Sequence, residues 1–340
     1  MLLVEILPFL SRKGTLIKGL VMDYKALANI LYTPVEYFLD WVRQLRWSKA
    51  SPLCSDELQV SYDIILLAHT VEKGLSVSHP RPGFGYEKIS KLLGYLDAYK
   101  QGWWEFPLSK SYGCLLEYMD WHTSIGHELG DFGDRISAKL AELDGAGVVP
   151  LGGTKRIDNS SLSMDESFES SLLSRFSCRR FEDKVVDQDI LLRIADVAVR
   201  APSQCNRQSV RIHCYNSPEK VDRLLRLQGG AEGFRSSVKN LFVITSEISA
   251  WSGAKARSQA YVDGALVAMQ VLNACQALGL GACPLNLAVL NSTESKIIDA
   301  GDIPPGERLV VMIAFGYPEK VELKVARSER ISAHKIMTVH

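Results

Sequence analysis

The spacing of apolar residues changes about halfway along the chain. Up to about residue 145, apolar positions recur every three to four residues, which is the period of an amphipathic helix. Several of these stretches end at Gly, as helices often do, and one internal proline interrupts the first of them. We therefore predict a mainly helical N-terminal region over residues 1–145, with its clearest helices at residues 24–47, 58–75, 86–102 and 135–145. The stretch 76–85, with two prolines and two glycines, is predicted to be a loop.

The second half mixes helical and strand patterns. Residues 146–170 are rich in Gly, Ser and acids and predict a linker. Asp187 is a plausible N-cap for the helix that follows it, and residues 260–281 predict a long buried helix that ends in a loop with Gly281 and Pro284. Strands are predicted at residues 209–216, 240–246 and 308–318. Because helices and strands do not alternate strictly, the sequence favours an α+β domain over residues 171–340.

Charge and cysteine content narrow the class of protein. Lys plus Arg equals Asp plus Glu at 39 each, so the overall charge gives no case for binding nucleic acid. Seven cysteines without a CxxC pair indicate a reducing, cytoplasmic compartment and no structural zinc. The apolar residues 1–20 favour a docked helix over an amphipathic surface segment, and Glu5 argues against a signal peptide. No run of about 18 apolar residues predicts a membrane span.

Three polar stretches in the second half carry candidate chemistry. Residues 174–184, "SRFSCRRFEDK", hold three arginines and suit either a solvated surface patch or an anion site. Residues 201–208, "APSQCNRQ", form either an ordinary polar turn or a surface that recognises the edge of a flat heteroaromatic ring. Residues 277–287, "ALGLGACPLNL", are either a helix end or a loop that lets the backbone approach a ligand.

Taken in order, these stretches resemble the FMN-dependent nitroreductase family. The matching features are "RFSCRRF", "APSQCNRQ", the long helix with "YVDGALVAMQVLNACQALGLGACPL", a strand ending "FGYP" and a terminal basic "ARSER". The resemblance covers roughly residues 170–335. It implies a central, mostly antiparallel sheet flanked by helices, FMN as cofactor, NAD(P)H as co-substrate, and a homodimer with FMN at the subunit interface.

The resemblance also implies roles for individual residues. Arg175, Ser177 and Arg179 match the contacts to the FMN phosphate and ribityl chain. A turn that lies along the flavin ring, usually contributed by the partner subunit, matches Pro202, Ser203, Gln204 and Asn206. The resemblance places Gln208 against either the same edge or the ribityl chain. The loop whose backbone N–H points at flavin N5 matches Pro284, Leu285 and Asn286. The C-terminal basic pair that returns to the phosphate matches Arg327 and Arg330.

Two departures from the family pattern concern specificity rather than FMN binding. Residues 228–237 lack an Asn that many members carry, and Asn286 stands where some members have Glu. The implied chemistry is hydride transfer from NAD(P)H through the flavin to an oxidised acceptor, with ping-pong kinetics, and it requires no catalytic side chain and no metal. We therefore expect Cys178 and Cys205 to be inert and His213 to be structural.

The N-terminal region raises a separate question. His69, Glu72 and Lys73 share one face of a predicted helix, and a loop with Phe84 follows it. These residues either cap the flavin pocket and select the substrate or belong to a helical packing domain with a surface ion pair. The chain is similar to long nitroreductase-like proteins of bacterial polysaccharide clusters. This similarity implies, as an alternative, a flavin dehydrogenase or other tailoring oxidoreductase of polysaccharide or secondary-metabolite biosynthesis. The alternative from another class is a non-catalytic scaffold with a nitroreductase fold.

Overall fold

A computed structural model of the chain describes residues 24–48, 57–76, 80–99, 104–154, 166–251, 256–321, 323 and 333–340. The predicted segment 1–20 and the predicted phosphate contacts Arg327 and Arg330 lie outside the described residues. The chain divides into two compact units, Met1–Arg43 and Gln44–His340. The predicted linker and the domain boundaries that it implies stay a prediction.

The N-terminal region is helical, as the apolar period predicts. Its helices are α1 Tyr24–Trp47, α2 Glu57–Leu75, α3 Tyr86–Ala98, α4 Phe106–Ser124 and α5 Asp131–Gly145. Helix α1 continues through Pro34. The apolar period does not predict helix α4. Its first turns bury the polar residues Ser109, Lys110 and Ser111, which interrupt the apolar stripe. Helices α2 to α5 share one core, whose fully buried members include Ile64, Leu92, Leu115 and Ile136.

The C-terminal region contains a four-stranded antiparallel sheet. Its elements are α6 Glu166–Ser174, α7 Gln188–Ala198, β1 Val210–Tyr215, α8 Pro218–Gln228, β2 Asn240–Glu247, α9 Gln259–Ala277, β3 Gly281–Asn286, α10 Asn291–Gly301, β4 Glu307–Gly316 and α11 Ala333–Ile336. The strand order is β1-β2-β4-β3, and each neighbouring pair is antiparallel. The predicted α+β class is confirmed. Within the described residues, no helix is both long and apolar enough to cross a bilayer.

One element of the second half differs from the prediction. The sequence predicts a loop after the long helix because Gly281 and Pro284 both disfavour strands. The structure instead places residues 281–286 in β3, which pairs with β4 in unbroken register from Gly281 opposite Gly316 to Asn286 opposite Val311. Proline is tolerated there because β3 lies at the end of the strand order, where one side of the strand is free of a full partner.

Helices cover both faces of the sheet. Helices α7 and α9 pack on one face, where Phe242 and Phe315 stack with ring centroids 4.0 Å apart. Helices α8 and α10 pack on the other face. Helix α9 approaches the sheet closely at Gly264, where a Cβ atom would lie 2.5 Å from the side chain of Val310. The glycine therefore sets how closely the long helix packs on β4.

We expect Gly264→Ala to lower the free energy of unfolding by about 1–3 kcal/mol, because the added methyl overpacks the contact with Val310. Gly94 is the matched control, since it lies in α3 and a Cβ added there would have no atom within 4 Å. Gly94→Ala should raise stability by about 0.5–1 kcal/mol through helix propensity alone. Urea unfolding of both variants measures the difference. Equal effects would contradict the close contact.

Candidate functional site

The arginine-rich stretch, residues 174–184, lies along the outer edge of β3. Ser177 forms a parallel bridge with Ala282, and the backbone N–H of Cys178 donates to the carbonyl oxygen of Ala282 at 3.0 Å. Further along, Phe181 forms an antiparallel bridge with Pro318. The stretch therefore behaves as a short additional strand, and its side chains are fixed relative to β3.

A glycine makes this close approach possible. A Cβ atom at Gly281 would lie 2.6 Å from both Cβ and Sγ of Cys178. Cys178 is itself buried, and burial raises the pKa of its thiol. The thiol donates to the carbonyl oxygen of Arg180 at 3.3 Å. Cys178 thus fills the space that the missing side chain of Gly281 leaves.

Two arginines of the stretch influence the pKa of Cys283, the third residue of β3. Burial raises the pKa of the Cys283 thiol, whereas the charges of Arg179 and Arg175 and a hydrogen bond from Ser177 act in the opposite direction. The charges of Arg175 and Arg179 and the hydroxyl of Ser177 therefore act on one thiol. Arg175 Nη1 is buried and has no hydrogen-bond partner within the described chain. An unpartnered buried guanidinium nitrogen is costly and fits a site that an anion completes.

Arg180, in the same stretch, behaves differently. Its side chain is 53% exposed, and its Nη2 pairs with Glu319 at 2.6 Å. It therefore already has a partner at the surface. Of the three arginines in the stretch, Arg180 is the one that the resemblance gives no phosphate contact.

The three residues predicted to face flavin N5 alternate along β3. Pro284 and Asn286 are exposed, and Leu285 is buried in the sheet core. The carbonyl oxygen of Asn286 accepts a hydrogen bond from Gln228 Nε2 at 2.9 Å. Its Oδ1 accepts from the N–H of Ala288 at 3.2 Å. These bonds hold the end of β3 in place.

The polar turn at 202–208 has an uncommon backbone. Cys205, Asn206 and Gln208 have φ values of 54°, 53° and 54°. This left-handed region costs a non-glycine residue about 1–2 kcal/mol, and asparagine tolerates it best. The turn is held internally by Ser203, whose Oγ accepts from the N–H of Gln208 at 3.0 Å. Such a conformation persists only where surrounding contacts enforce it.

One of those contacts comes from a residue that the sequence patterns did not single out. Asp263 in α9 is 1% exposed, and its Oδ2 accepts from the N–H of Gln204 at 3.0 Å. Its Oδ1 accepts from Gln259 Nε2 at 2.7 Å. Burial raises the pKa of Asp263. The sequence signal was present, because an acid in a nearly all-apolar helix is expected to have a specific partner.

The two groups of predicted cofactor contacts lie far apart in one chain. The turn leads into β1 at Val210, which is level with Ser246 and Arg308, whereas the arginine-rich stretch joins β3 at Ala282, level with Phe315. Strand geometry places these points about 14 Å apart across the sheet and about 24 Å apart along the strands. The separation exceeds the length of one FMN molecule.

The predicted substrate contacts lie in the helical region and are largely engaged there. Glu72 accepts from Lys110 Nζ at 2.6 Å and pairs with His69 Nδ1 at 2.9 Å. These bonds help to lower the pKa of Glu72, although desolvation, the largest single effect, raises it. Lys73 is exposed. Phe84 packs its ring against Gly74 and lies edge-on to Tyr118 with centroids 5.1 Å apart.

The helical region nevertheless reaches the polar turn. Helix α2 lies against the short 3-10 helix Gln204–Asn206 and against a second one at Ile248–Ala250. Tyr62 and Ile65 of α2 form a small buried cluster with Trp251. In the described part of the chain, no group of three or more His, Cys, Asp or Glu side chains is placed to hold a metal ion.

We expect Gly281→Ala to displace the arginine-rich stretch, because the new methyl would overlap Cys178. Overpacking of this kind costs about 1–3 kcal/mol, and thermal unfolding measures it. A second change, Cys178→Gly, should restore part of the loss by removing the overlapping atoms. Gly233→Ala is the control, since nothing lies within 4 Å of its added Cβ. Wild-type stability of Gly281→Ala would contradict the contact.

Comparison with known proteins identifies the region that carries these features. The family model described as the nitroreductase family matches residues 172–231 and 230–317. No curated protein matches the chain.

Several solved structures resemble part of the chain. An FMN-dependent nitroreductase from Clostridium difficile is 20% identical, with a TM-score of 0.43, over 50% of this chain and 98% of its own. A protein described as a nitroreductase, in complex with FMN, from Desulfovibrio desulfuricans is 18% identical, with a TM-score of 0.45, over 52% and 98%. A protein described as an NADH oxidase from Clostridium acetobutylicum is 22% identical, with a TM-score of 0.43, over 49% and 97%.

These structural similarities are too low to indicate a function, whereas the family model matches a defined region of the chain. Its match begins just before the arginine-rich stretch and ends one residue after β4. It therefore includes the polar turn and the whole sheet. The resemblance seen in the sequence is confirmed over this region: residues 172–231 and 230–317 match the nitroreductase family model.

Proposed function

We propose that the protein is an FMN-dependent oxidoreductase that takes hydride from NADH or NADPH and delivers electrons to an oxidised small-molecule acceptor. The observation that carries the proposal is the buried Nη1 of Arg175, which has no hydrogen-bond partner among the residues that the structure describes. Arg175 lies in the stretch that matches the family model, and its charge acts on the Cys283 thiol together with Arg179 and Ser177. A nucleotide phosphate is the group that would satisfy this set of donors.

The residues at β3 fit the phosphate end of FMN. Arg175 and Arg179 would bind phosphate oxygens, and the Ser177 hydroxyl would add a neutral donor. Arg327 and Arg330 are proposed to return to the same phosphate. Pro284, Leu285 and Asn286 would present the backbone beside the flavin ring. The bonds that hold Asn286 in place keep this edge of β3 fixed before any ligand binds.

The turn at 202–208 is proposed to complete the site from a second copy of the chain. Within one chain, strand order and register separate the turn from the phosphate contacts by more than one FMN length. A two-fold homodimer would bring the turn of one subunit to the β3 edge of the other. The ring-side contacts would then be Pro202, Ser203, Gln204, Asn206 and Gln208 of the partner.

FMN, when bound, supplies two-electron hydride chemistry between a nicotinamide and an acceptor. The chain's own residues would anchor the phosphate, orient the flavin ring and surround its edge with fixed backbone donors. Because both substrates would use the same face in turn, we propose ping-pong kinetics. The cytoplasmic location and the bacterial origin stay predictions.

A tailoring role in polysaccharide or secondary-metabolite biosynthesis also stays a prediction, as do the substrate contacts at His69, Glu72, Lys73 and Phe84. The partners of Glu72 favour a packing role for this face, whereas the contact of α2 with the polar turn keeps the helical region close to the proposed site. A non-catalytic scaffold is disfavoured, because a site without a ligand has no use for a buried arginine nitrogen that lacks a partner in the described part of the chain.

The proposal predicts that Arg175→Ala/Arg179→Ala abolishes copurification of FMN and weakens FMN binding at least about 100-fold, since each charge-assisted hydrogen bond contributes about 1.5–3 kcal/mol. Visible absorbance of the purified protein and titration with FMN measure this. Arg180→Ala is the matched control and should bind FMN normally, because Arg180 pairs with Glu319 at the surface.

The wild-type protein should show flavin absorbance that bleaches when NADH or NADPH is added without oxygen. Full FMN retention in the double variant would refute the phosphate assignment. A wild-type protein that is colourless and takes up no FMN would favour the scaffold instead.

A further inference from the structure

Arg211 occupies a position that neither the proposed flavin chemistry nor the sequence patterns explain. It lies in β1, three residues after the last left-handed residue of the turn, Gln208. Its Nη1 donates to the carbonyl oxygens of Gln208 at 3.0 Å and Val210 at 3.1 Å. The guanidinium therefore holds the exit of the turn by its backbone.

The other side of the same guanidinium reaches the helical region. Arg211 Nη2 donates to the hydroxyl oxygen of Tyr62 in α2 at 3.2 Å and pairs with Glu247 Oε1 at 2.6 Å. The guanidinium carbon also lies 5.8 Å from the ring centroid of Trp104, which makes an edge contact with Tyr62. Arg211 thus connects the polar turn to two aromatic residues that precede the sheet in the chain.

The helical side of this connection is buried and closely packed. Tyr62 is 2% exposed and packs with Ile65 and Trp251 in one buried cluster. Burial raises the pKa of Tyr62, so its hydroxyl stays neutral at physiological pH. Arg207 of the turn lies over the ring of the same Trp251 at 5.3 Å. The turn is therefore held at its exit by Arg211 and through Arg207 by Trp251.

We propose that Arg211 is a positioning residue through which α2 enforces the left-handed backbone of the turn. The inference rests on the proposed function in one respect, since the turn is there assigned to the flavin ring. It gives the helical region a specific role, in which Tyr62 and Trp104 fix Arg211, and Arg211 fixes the carbonyl of Gln208. Lysine cannot replace this function, because an ammonium lacks the planar fork that reaches the turn and α2 together.

The test uses the full-length protein and a thiol that the turn itself provides. Cys205 is half-buried at the centre of the turn, whereas Cys275 is buried in α9 and reports opening of the whole fold. Iodoacetamide alkylation, followed by peptide mass mapping, gives the reaction rate of each thiol. Arg211→Lys and Tyr62→Phe are compared with two matched controls, Arg226→Lys at the surface and Tyr112→Phe elsewhere in the helical region.

We expect Arg211→Lys to raise the Cys205 rate about tenfold, corresponding to the loss of one charge-assisted hydrogen bond. Tyr62→Phe should raise it by a smaller factor, and both should leave the Cys275 rate unchanged. FMN affinity should fall in the same order. The two control variants should match the wild type in both measurements.

The thiol rates separate this inference from the proposed function. Faster Cys205 alkylation in a protein that binds no FMN would uphold the role of Arg211 while refuting the flavin assignment. Unchanged Cys205 rates in Arg211→Lys and Tyr62→Phe would overturn the inference, even if thermal stability fell. Equal increases at Cys205 and Cys275 would overturn it as well, because they would indicate general loosening of the fold.

Discussion

The order and register of the four strands fix the distance between the two edges of the sheet within a single chain. With β1 and β3 at opposite ends of the sheet, the residues that precede β1 and those that flank β3 are held apart by two intervening strands. Both intervening strands are almost wholly buried, so this spacing is rigid. The proposed cofactor contacts lie on both sides of this spacing. One edge offers arginines around Cys283, and the other offers a polar turn with strained backbone.

Each edge is prepared by contacts that the rest of the chain supplies. At β3, the absence of a side chain at Gly281 admits Cys178 and lets the arginine-rich stretch join the sheet. At β1, Asp263 accepts from the N–H of Gln204, and Arg211 donates to the carbonyl of Gln208. A buried donor or acceptor that loses its hydrogen-bond partner costs free energy. These contacts therefore stabilise the left-handed residues of the turn.

The helical region was the least interpretable part of the sequence, and its packing explains why. Its period correctly predicts helices, but periodicity does not tell which buried polar residues contact another part of the fold. The structure distinguishes these polar residues. Glu72 and Lys110 pair inside the helical region, whereas the hydroxyl of Tyr62 accepts a hydrogen bond from Arg211 in β1. Tyr62 and Glu72 lie on the same helix, and the amino-acid pattern does not distinguish their roles.

The same contrast applies to the second half of the chain. Motif order found the arginine-rich stretch and the polar turn because the chemistry of binding restricts residue types locally. Strand β3 was missed because pairing with β4 overrides the local preferences of Gly281 and Pro284. Asp263 and Arg211 were missed because their partners are distant in sequence, at positions that only the folded chain brings together.

The proposed cofactor site is shared by two copies of the chain, and complementation tests this sharing directly. One variant carries Arg175→Ala/Arg179→Ala and the other carries Asn206→Ala, so each removes a different edge. Coexpressed with separate affinity tags, the two should form mixed dimers in which one site is intact, restoring FMN to about a quarter of all sites for random two-fold pairing. Purified mixed dimers that hold no FMN, or a wild-type monomer that binds FMN tightly, would contradict the account.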